Sequence, residues 1–310
     1  MKAMVIEEFG SSVQPFLKEV PRPVALDNEV LIKVAYAGVN PVDGKIKAGY
    51  LTGAIPHEFP LILGWDAAGT VAEVGKNVKN FKVGDEVFAY VRKPILQWGA
   101  YAEYVAFDAQ NVAKKPRGIS FAQAAALPLV SLTAWQSLFD AAHLKKGETV
   151  LIHAASGGVG SMAVQFAKNA GAQVITTASR KKHDYVKKLG ADLLIDYQKE
   201  DFADRLPRSV DVVFDTVGGE TFQKSLACLK KGGRIVSILQ RDLTEAEQKG
   251  IEAHYVFVSP SGPELHTIAQ LIEQKKVVPP HIEEMDLREA GAALNKLQAG
   301  QVLGKIVLKI

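Results

Sequence analysis

The sequence predicts an α/β fold in which a doubly wound parallel sheet is joined to a β-rich domain. Three observations carry that prediction. Between residues 149 and 239, short apolar runs alternate with amphipathic helical stretches. The first third instead holds short β-branched runs punctuated by Gly, Pro and Asp. Joining the two patterns, Thr149-Val150-Leu151-Ile152-His153-Ala154-Ala155-Ser156-Gly157-Gly158-Val159-Gly160 carries an apolar run into a glycine-rich turn that opens a helical pattern.

Taken in order, alternation or β-branching places strands at 29–39, 69–74, 86–90 and 101–106. Turns follow at Gly75-Lys76-Asn77 and Gly84-Asp85. The alanine-rich stretch 120–142 reads as helical, and Pro128 splits it into two helices. Strand 150–153, helix 159–169, strand 173–177, helix 181–189 and strand 193–196 come next. Strand 210–215, helix 220–229 and strand 234–239 complete the alternating region. Such βαβαβ order implies a parallel sheet with helices on both faces, and its near-continuous apolar strands are those of a sheet buried on both sides. Helices at 264–274 and 287–299 precede a last strand at 304–308. With 310 residues and no internal repeat, the chain divides into a β-rich domain of 1–122 with 260–310 and an α/β domain of 123–259.

The glycine turn has the local design that holds a dinucleotide pyrophosphate, and with it the α/β domain reads as Rossmann-type. Gly157 admits the phosphates to the backbone and Gly160 admits the helix to the strand. Ser156, Gly158 and Val159 complete a turn whose helix N-terminus offers free N–H donors. Ala155 replaces the first glycine of the common G-x-G-x-x-G pattern. Where the next strand ends, an acid usually accepts a ribose 2′-hydroxyl. Here the chain reads Ser179-Arg180-Lys181-Lys182. A hydroxyl beside a guanidinium and ammonium groups attracts a 2′-phosphate, so NADPH is the expected cofactor. Tyr197 follows the third strand and lies along the same adenosine phosphate. Asp215-Thr216-Val217-Gly218-Gly219 ends the fourth strand at the sheet's carboxyl edge, where ligands of open α/β sheets bind. His153 reads as structural.

Composition narrows the rest. Apolar residues make up 47%, charged residues 23%, and the net charge of +3 is interspersed along the chain. That balance demands neither nucleic acid nor an anionic membrane, and no basic-aromatic patch of the single-strand-binding kind is present. Glu7 and Glu8 stand where a signal peptide would continue its apolar region. No apolar run approaches the ~20 residues of a membrane span. The lone Cys228 excludes an intramolecular disulfide framework and fits a reducing cytoplasm. Its helical surroundings mark it as a small buried hydrophobe.

Five motifs resemble the medium-chain dehydrogenase/reductases, in the zinc-free quinone oxidoreductase branch. They are Gly38-Val39-Asn40-Pro41-Val42-Asp43, Leu63-Gly64-Trp65-Asp66-Ala67-Ala68-Gly69, Val83-Gly84-Asp85-Glu86-Val87, Leu132-Thr133-Ala134 and the turn from Ala154 to Gly160. The resemblance covers essentially the whole chain and implies a GroES-like catalytic domain beside the Rossmann-type one. Zinc members of the superfamily carry a Cys near Asn40, a His-Glu pair near Trp65-Asp66, and usually a four-cysteine lobe after Lys93. None of these is present, and His57 and His281 stand alone. A catalytic zinc needs three protein ligands, so a metal-free enzyme is implied. The segment from Asn40 to Tyr50 is most similar to plant-type 2-alkenal reductases and enone oxidoreductases, in which a lysine at the place of Lys45 approaches NADPH.

By this resemblance the cofactor contacts are Lys45, Thr133, the turn from Ser156 to Gly160, Ser179, Arg180, Lys182, Tyr197, Val217, Leu239 and Lys305. Asn40 and Tyr50 are implied at the chemistry, although Tyr50 is offset by one residue from the tyrosine of other quinone oxidoreductases. The implied reaction moves hydride to a quinone or to the β-carbon of an α,β-unsaturated carbonyl, with the nicotinamide near Asn40 and Thr133. The developing enolate oxygen is then held by Tyr50, Lys45 or a cofactor hydroxyl, and Tyr50 or water returns a proton. Two other readings stay open: a zinc-free enoyl-thioester reductase, and a non-catalytic NADPH-binding protein like the lens crystallins of this branch. The family habit of pairing sheet edges implies a homodimer.

Overall fold

The computed structural model describes residues 1–300 and 302–310. The chain forms two compact units, Met1–Leu129 with Ser259–Ile310, and Val130–Val258. The first division lies later than the 122/123 expected from the sequence. The helix Phe121–Ala125 belongs to the first unit, where it sits directly on the strand Glu29–Val39. A Cβ at Gly38 would lie 2.4 Å from the Ala125 carbonyl oxygen. Leu129 extends the attachment by donating its backbone N–H to Asp66 at 2.7 Å.

The first unit is β-rich. Its larger sheet runs Ile282–Asp286, Lys305–Lys309, Glu29–Val39, Asp66–Val74, Glu86–Tyr90 and Val112–Lys114, with Tyr104–Asp108 also pairing with Glu29–Val39. The long strand Glu29–Val39 therefore organises the unit, and register shifts near Leu31 and Tyr36 bend it. A smaller sheet, absent from the sequence reading, runs Phe16–Glu19, Lys2–Ile6, His57–Ile62 and Leu96–Trp98. The expected strand at 101–106 begins only at Tyr104, because the Tyr101 backbone bonds Leu63 and Met4 instead. After Glu29–Val39 the chain enters the helix Pro41–Lys47. Pro41 suits a first helical position, where no N–H is needed.

The second unit is a six-stranded parallel sheet. Its spatial order is Leu193–Ile195, Gln173–Thr177, Thr149–Ile152, Val210–Asp215, Leu229–Ser237 and Glu252–Tyr255. Numbered along the chain this is 3-2-1-4-5-6, the doubly wound order, and it reverses direction between Thr149–Ile152 and Val210–Asp215. The helix Gly158–Asn169 follows the first strand, burying Met162, Ala163, Val164, Phe166 and Ala167. Two sequence expectations need correction here. The helix at 220–229 stops at Ser225, and a tight turn through Cys228 leads into a strand that starts at Leu229 instead of 234. The last strand, Glu252–Tyr255, carries no alternating apolar signal in its sequence. Cys228 is fully buried among Leu151, Phe222 and Ile235, as a small hydrophobe should be.

Candidate functional site

In the second unit, the strand Thr149–Ile152 ends at His153, and Ala154 then takes a left-handed φ of 50°. That strained conformation is held from beneath by His153. Ser225 Oγ donates to the Thr221 carbonyl at 2.6 Å, so it accepts from His153 Nε2–H at 2.8 Å. Nδ1 is then the acceptor facing the Thr177 hydroxyl at 3.0 Å, and Thr177 Oγ1 in turn accepts from the Ala154 N–H at 3.3 Å. The chain of donors works for a neutral imidazole. Burial pushes the His153 pKa down to about 4, against the pull of Asp215. His153 is thus structural, and what it supports is the turn.

The two glycines of that turn have different grounds. A Cβ on Gly160 would meet the Ala154 oxygen at 2.5 Å and Ala155 Cα at 2.7 Å, so packing of helix on strand requires glycine there. Gly157 caps the helix with an ordinary φ of −82°, and a Cβ on it would find its nearest neighbour at 3.5 Å. Neither backbone nor packing demands glycine at 157. The helix bears no acid in its first turn. Its leading N–H groups have no partner within the helix.

Beyond the strand Gln173–Thr177, Ser179 precedes a single three-ten turn, Arg180–Lys182, ahead of the helix His183–Lys188. The Arg180 side chain is exposed, with only a long 3.5 Å approach to His183 Nδ1. Along the same carboxyl edge stand three exposed apolar side chains, Tyr197 (57%), Val217 (46%) and Leu239 (43%). Asp215, fully buried, builds the ledge that carries two of them. Its carboxylate accepts from Val217 N, Gly218 N and the Ser237 hydroxyl, at 2.6 to 3.0 Å, and Ser237 Oγ accepts from Leu239 N and Gln240 N. No local sequence signal marks this scaffold role for Asp215 and Ser237, which lie 22 residues apart. Thr133 is buried on the helix Pro128–Trp135, and Ser156 is buried in the turn.

In the first unit, Asn40, Lys45 and Tyr50 line one cavity of about 260 Å³, together with Leu294 and Leu297. Tyr50 is 73% exposed on the turn after the helix, where its N–H bonds the Lys45 carbonyl at 3.0 Å. Asn40 and Lys305 are held by a network of their own. Both are buried and committed to one another: Lys305 Nζ donates to Asn40 Oδ1 and, at 3.0 Å, to Asp66 Oδ2, which also accepts from Asn40 Nδ2 at 2.9 Å. With Asp66 they form a buried ionic floor, of which Asn40 also lines the cavity. Asp43 joins it, accepting from the Asn40 N–H at 2.8 Å and the Tyr101 hydroxyl at 2.9 Å. Its other oxygen is buried without a partner, and burial pushes its pKa up to about 7. Asp66, Asp43 and Tyr101 escaped the sequence reading.

Residues 26–117 match the alcohol dehydrogenase GroES-like domain family, and residues 189–308 match the zinc-binding dehydrogenase family. A quinone oxidoreductase from Coxiella burnetii is 37% identical, with 100% of this chain and 99% of that one covered at a TM-score of 0.91. A 2-methylene-furan-3-one reductase from Solanum lycopersicum is 36% identical, spanning 99% of this chain and 79% of its own. The chain belongs to the medium-chain dehydrogenase/reductase superfamily. Escherichia coli quinone oxidoreductase, solved in complex with NADPH, is 30% identical over 100% of both chains, with a TM-score of 0.89. Within the superfamily this chain lies in the quinone oxidoreductase and alkenal/one oxidoreductase branch, and it is an NAD(P)H-dependent oxidoreductase.

The family description names zinc, and the donors here do not fit it. Asn40, Trp65 and Asp66 stand where zinc members carry their ligands, and Asp66 is the single anionic donor among them. Both its oxygens are taken, by Asn40, Lys305 and the Leu129 N–H, so an ammonium already fills the cationic place. Among the described residues no three His, Cys, Asp or Glu side chains come together as a metal site. Nor is any helix among them long and apolar enough to cross a membrane.

Proposed function

We propose that this protein is an NADPH-dependent reductase acting without zinc on quinones or on the C=C bond of α,β-unsaturated carbonyls. The observation that carries the cofactor choice is the Ser179-Arg180-Lys181 turn at the end of the second strand, its Arg180 and Lys181 exposed, with no acid between residues 177 and 183. A carboxylate there would repel a 2′-phosphate, whereas Arg180 offers it a planar pair of donors. The N–H groups opening the helix Gly158–Asn169 would hold the pyrophosphate, which Gly157 would let approach. Tyr197, Val217 and Leu239, exposed at the same edge, would give apolar walls to the bound cofactor.

NADPH, when bound, supplies the hydride; the chain's task is orientation and charge. Lys45 and Tyr50 share a cavity, and both present donors to an oxygen that gains negative charge as the acceptor is reduced. Tyr50, being exposed, also exchanges its proton with water and returns one to the product. Asn40 and Lys305 act beneath them as positioning residues, holding the start of the helix that bears Lys45. A cytoplasmic setting suits a chain whose one cysteine is buried and reduced.

Arg180→Ala tests the cofactor assignment. KM for NADPH should rise at least tenfold, the loss of about 1.4 kcal/mol of charge-assisted bonding, while KM for NADH barely moves. Equal effects on both cofactors would refute it.

A further inference from the structure

We propose that the first unit carries a site for a singly charged anionic end group of the acceptor, centred on Lys93 in the cleft it shares with Arg92 and Asn111. The proposal rests on the reductase reading above and names its substrate class: an unsaturated carbonyl bearing a carboxylate at its far end. The cleft encloses about 470 Å³, within the range of small-molecule sites.

Lys93 stands apart from the other enclosed lysines of this unit. Lys47 donates to the Ser11 and Val13 carbonyls at 2.6 and 2.8 Å. Lys115 donates to the Ile119 carbonyl at 2.7 Å and pairs with Glu86. Lys305 has Asn40 and Asp66. Lys93 is half-buried and makes no hydrogen bond or ion pair among the described residues. Burial draws its ammonium below the usual lysine range, which the charge of Glu29 only partly offsets. A desolvated cation without a partner is costly, and an arriving carboxylate removes that cost.

The walls say what the rest of the ligand is. Ile55, Pro94 and Phe107 supply apolar surface for a hydrocarbon body. Glu29 and Asp108 also line the cleft, but each is engaged within its own loop. Glu29 accepts from the Leu26 N–H, and Asp108 accepts from the Gln110 N–H and side-chain amide. Their charges disfavour a dianion such as a phosphate and leave a single carboxylate as the better match. The placement also suits a far end. Ile55 lies on the turn that begins at Tyr50, its N–H bonded to the Leu51 carbonyl at 2.9 Å. Arg92 follows Tyr90, which pairs with Asp66 of the buried floor.

The experiment compares a 2-alkenal carrying a terminal carboxylate with its methyl ester, using NADPH, in the wild-type, Lys93→Met and Lys93→Arg proteins. Wild-type kcat/KM should favour the acid by about tenfold, the worth of one charge-assisted contact of about 1.4 kcal/mol. Lys93→Met should bring the acid-to-ester ratio near one, and Lys93→Arg should keep most of it. A binding measurement runs alongside, with the saturated ω-hydroxy acid of equal length as probe; its Kd should rise about tenfold in Lys93→Met. Reduction of both aldehydes without discrimination by Lys93 overturns the site and leaves the reductase reading intact. Lys93-dependent binding of the hydroxy acid without reduction of either aldehyde sustains the site and overturns that reading.

Discussion

A methyl group added at Gly160 and one added at Gly157, three residues apart in the same turn, should have opposite signatures. At position 160 the new carbon would sit 2.5 Å from the Ala154 oxygen and 2.7 Å from Ala155 Cα, both backbone atoms that cannot swing aside. Ordinary carbon contacts lie near 3.5 to 4.0 Å, so the helix Gly158–Asn169 must lift from the sheet by about 1 Å. Overpacking of that kind costs about 1–3 kcal/mol, or roughly 2–12 °C in melting temperature for a chain of this size. At position 157 the nearest atom is 3.5 Å away and the backbone is ordinary. The structural cost there is about 0.5–1 kcal/mol, that of alanine at a helix N-cap. The methyl group would instead stand where the pyrophosphate approaches, and NADPH affinity should fall at least tenfold. The assay is thermal unfolding of the cofactor-free proteins together with NADPH titration. If Gly157→Ala melts like Gly160→Ala and binds NADPH as the wild type does, the turn is a packing device and the phosphate argument fails.

Three further outcomes are expected. Between pH 7 and pH 4 the unfolded chain protonates His153 while the folded one, with a pKa near 4, does not. Stability is therefore lost as pH falls through that window, by about 3 kcal/mol; a His153→Gln variant should lose this slope in urea unfolding, and an unchanged slope would contradict the neutral-imidazole chain. Lys305→Met leaves the Asp66 charge buried and should cost about 3–5 kcal/mol, whereas Lys305→Met with Asp66→Asn recovers much of it; additive losses in chemical denaturation would dissolve the claimed floor. Tyr50→Phe should lower kcat for 2-alkenals by about 10²-fold with little change in KM for NADPH, and an unaltered kcat would remove Tyr50 from the chemistry.

Legibility in the sequence followed locality. The strands Glu29–Val39, Glu86–Tyr90, Gln173–Thr177 and Val210–Asp215 could be read at their true bounds because their apolar or alternating character is complete within each segment. Phe16–Glu19 is exposed throughout, and Glu252–Tyr255 holds little apolar surface. Their strand character comes from neighbours across the sheet, at Lys2–Ile6 and Leu229–Ser237. The site divides in the same way. The glycine turn and the Ser179-Arg180-Lys181 element are contiguous, so spacing exposes them. The buried floor joins Asn40 to Asp66 across 26 residues and Asp66 to Lys305 across 239. No local pattern could have shown that Asn40 and Lys305 turn toward each other.

We propose that this turn, this basic element and a zinc-free first unit together make an NADPH-dependent reductase. The most direct test follows NADPH and NADH oxidation against 2-alkenals, ring enones, quinones and enoyl thioesters, with and without a chelator. NADPH should be oxidised far faster than NADH, with alkenals, enones or quinones as acceptors and rates indifferent to chelation. Loss of activity with chelator, equal use of the two cofactors, or NADPH binding with no turnover of any acceptor would contradict it.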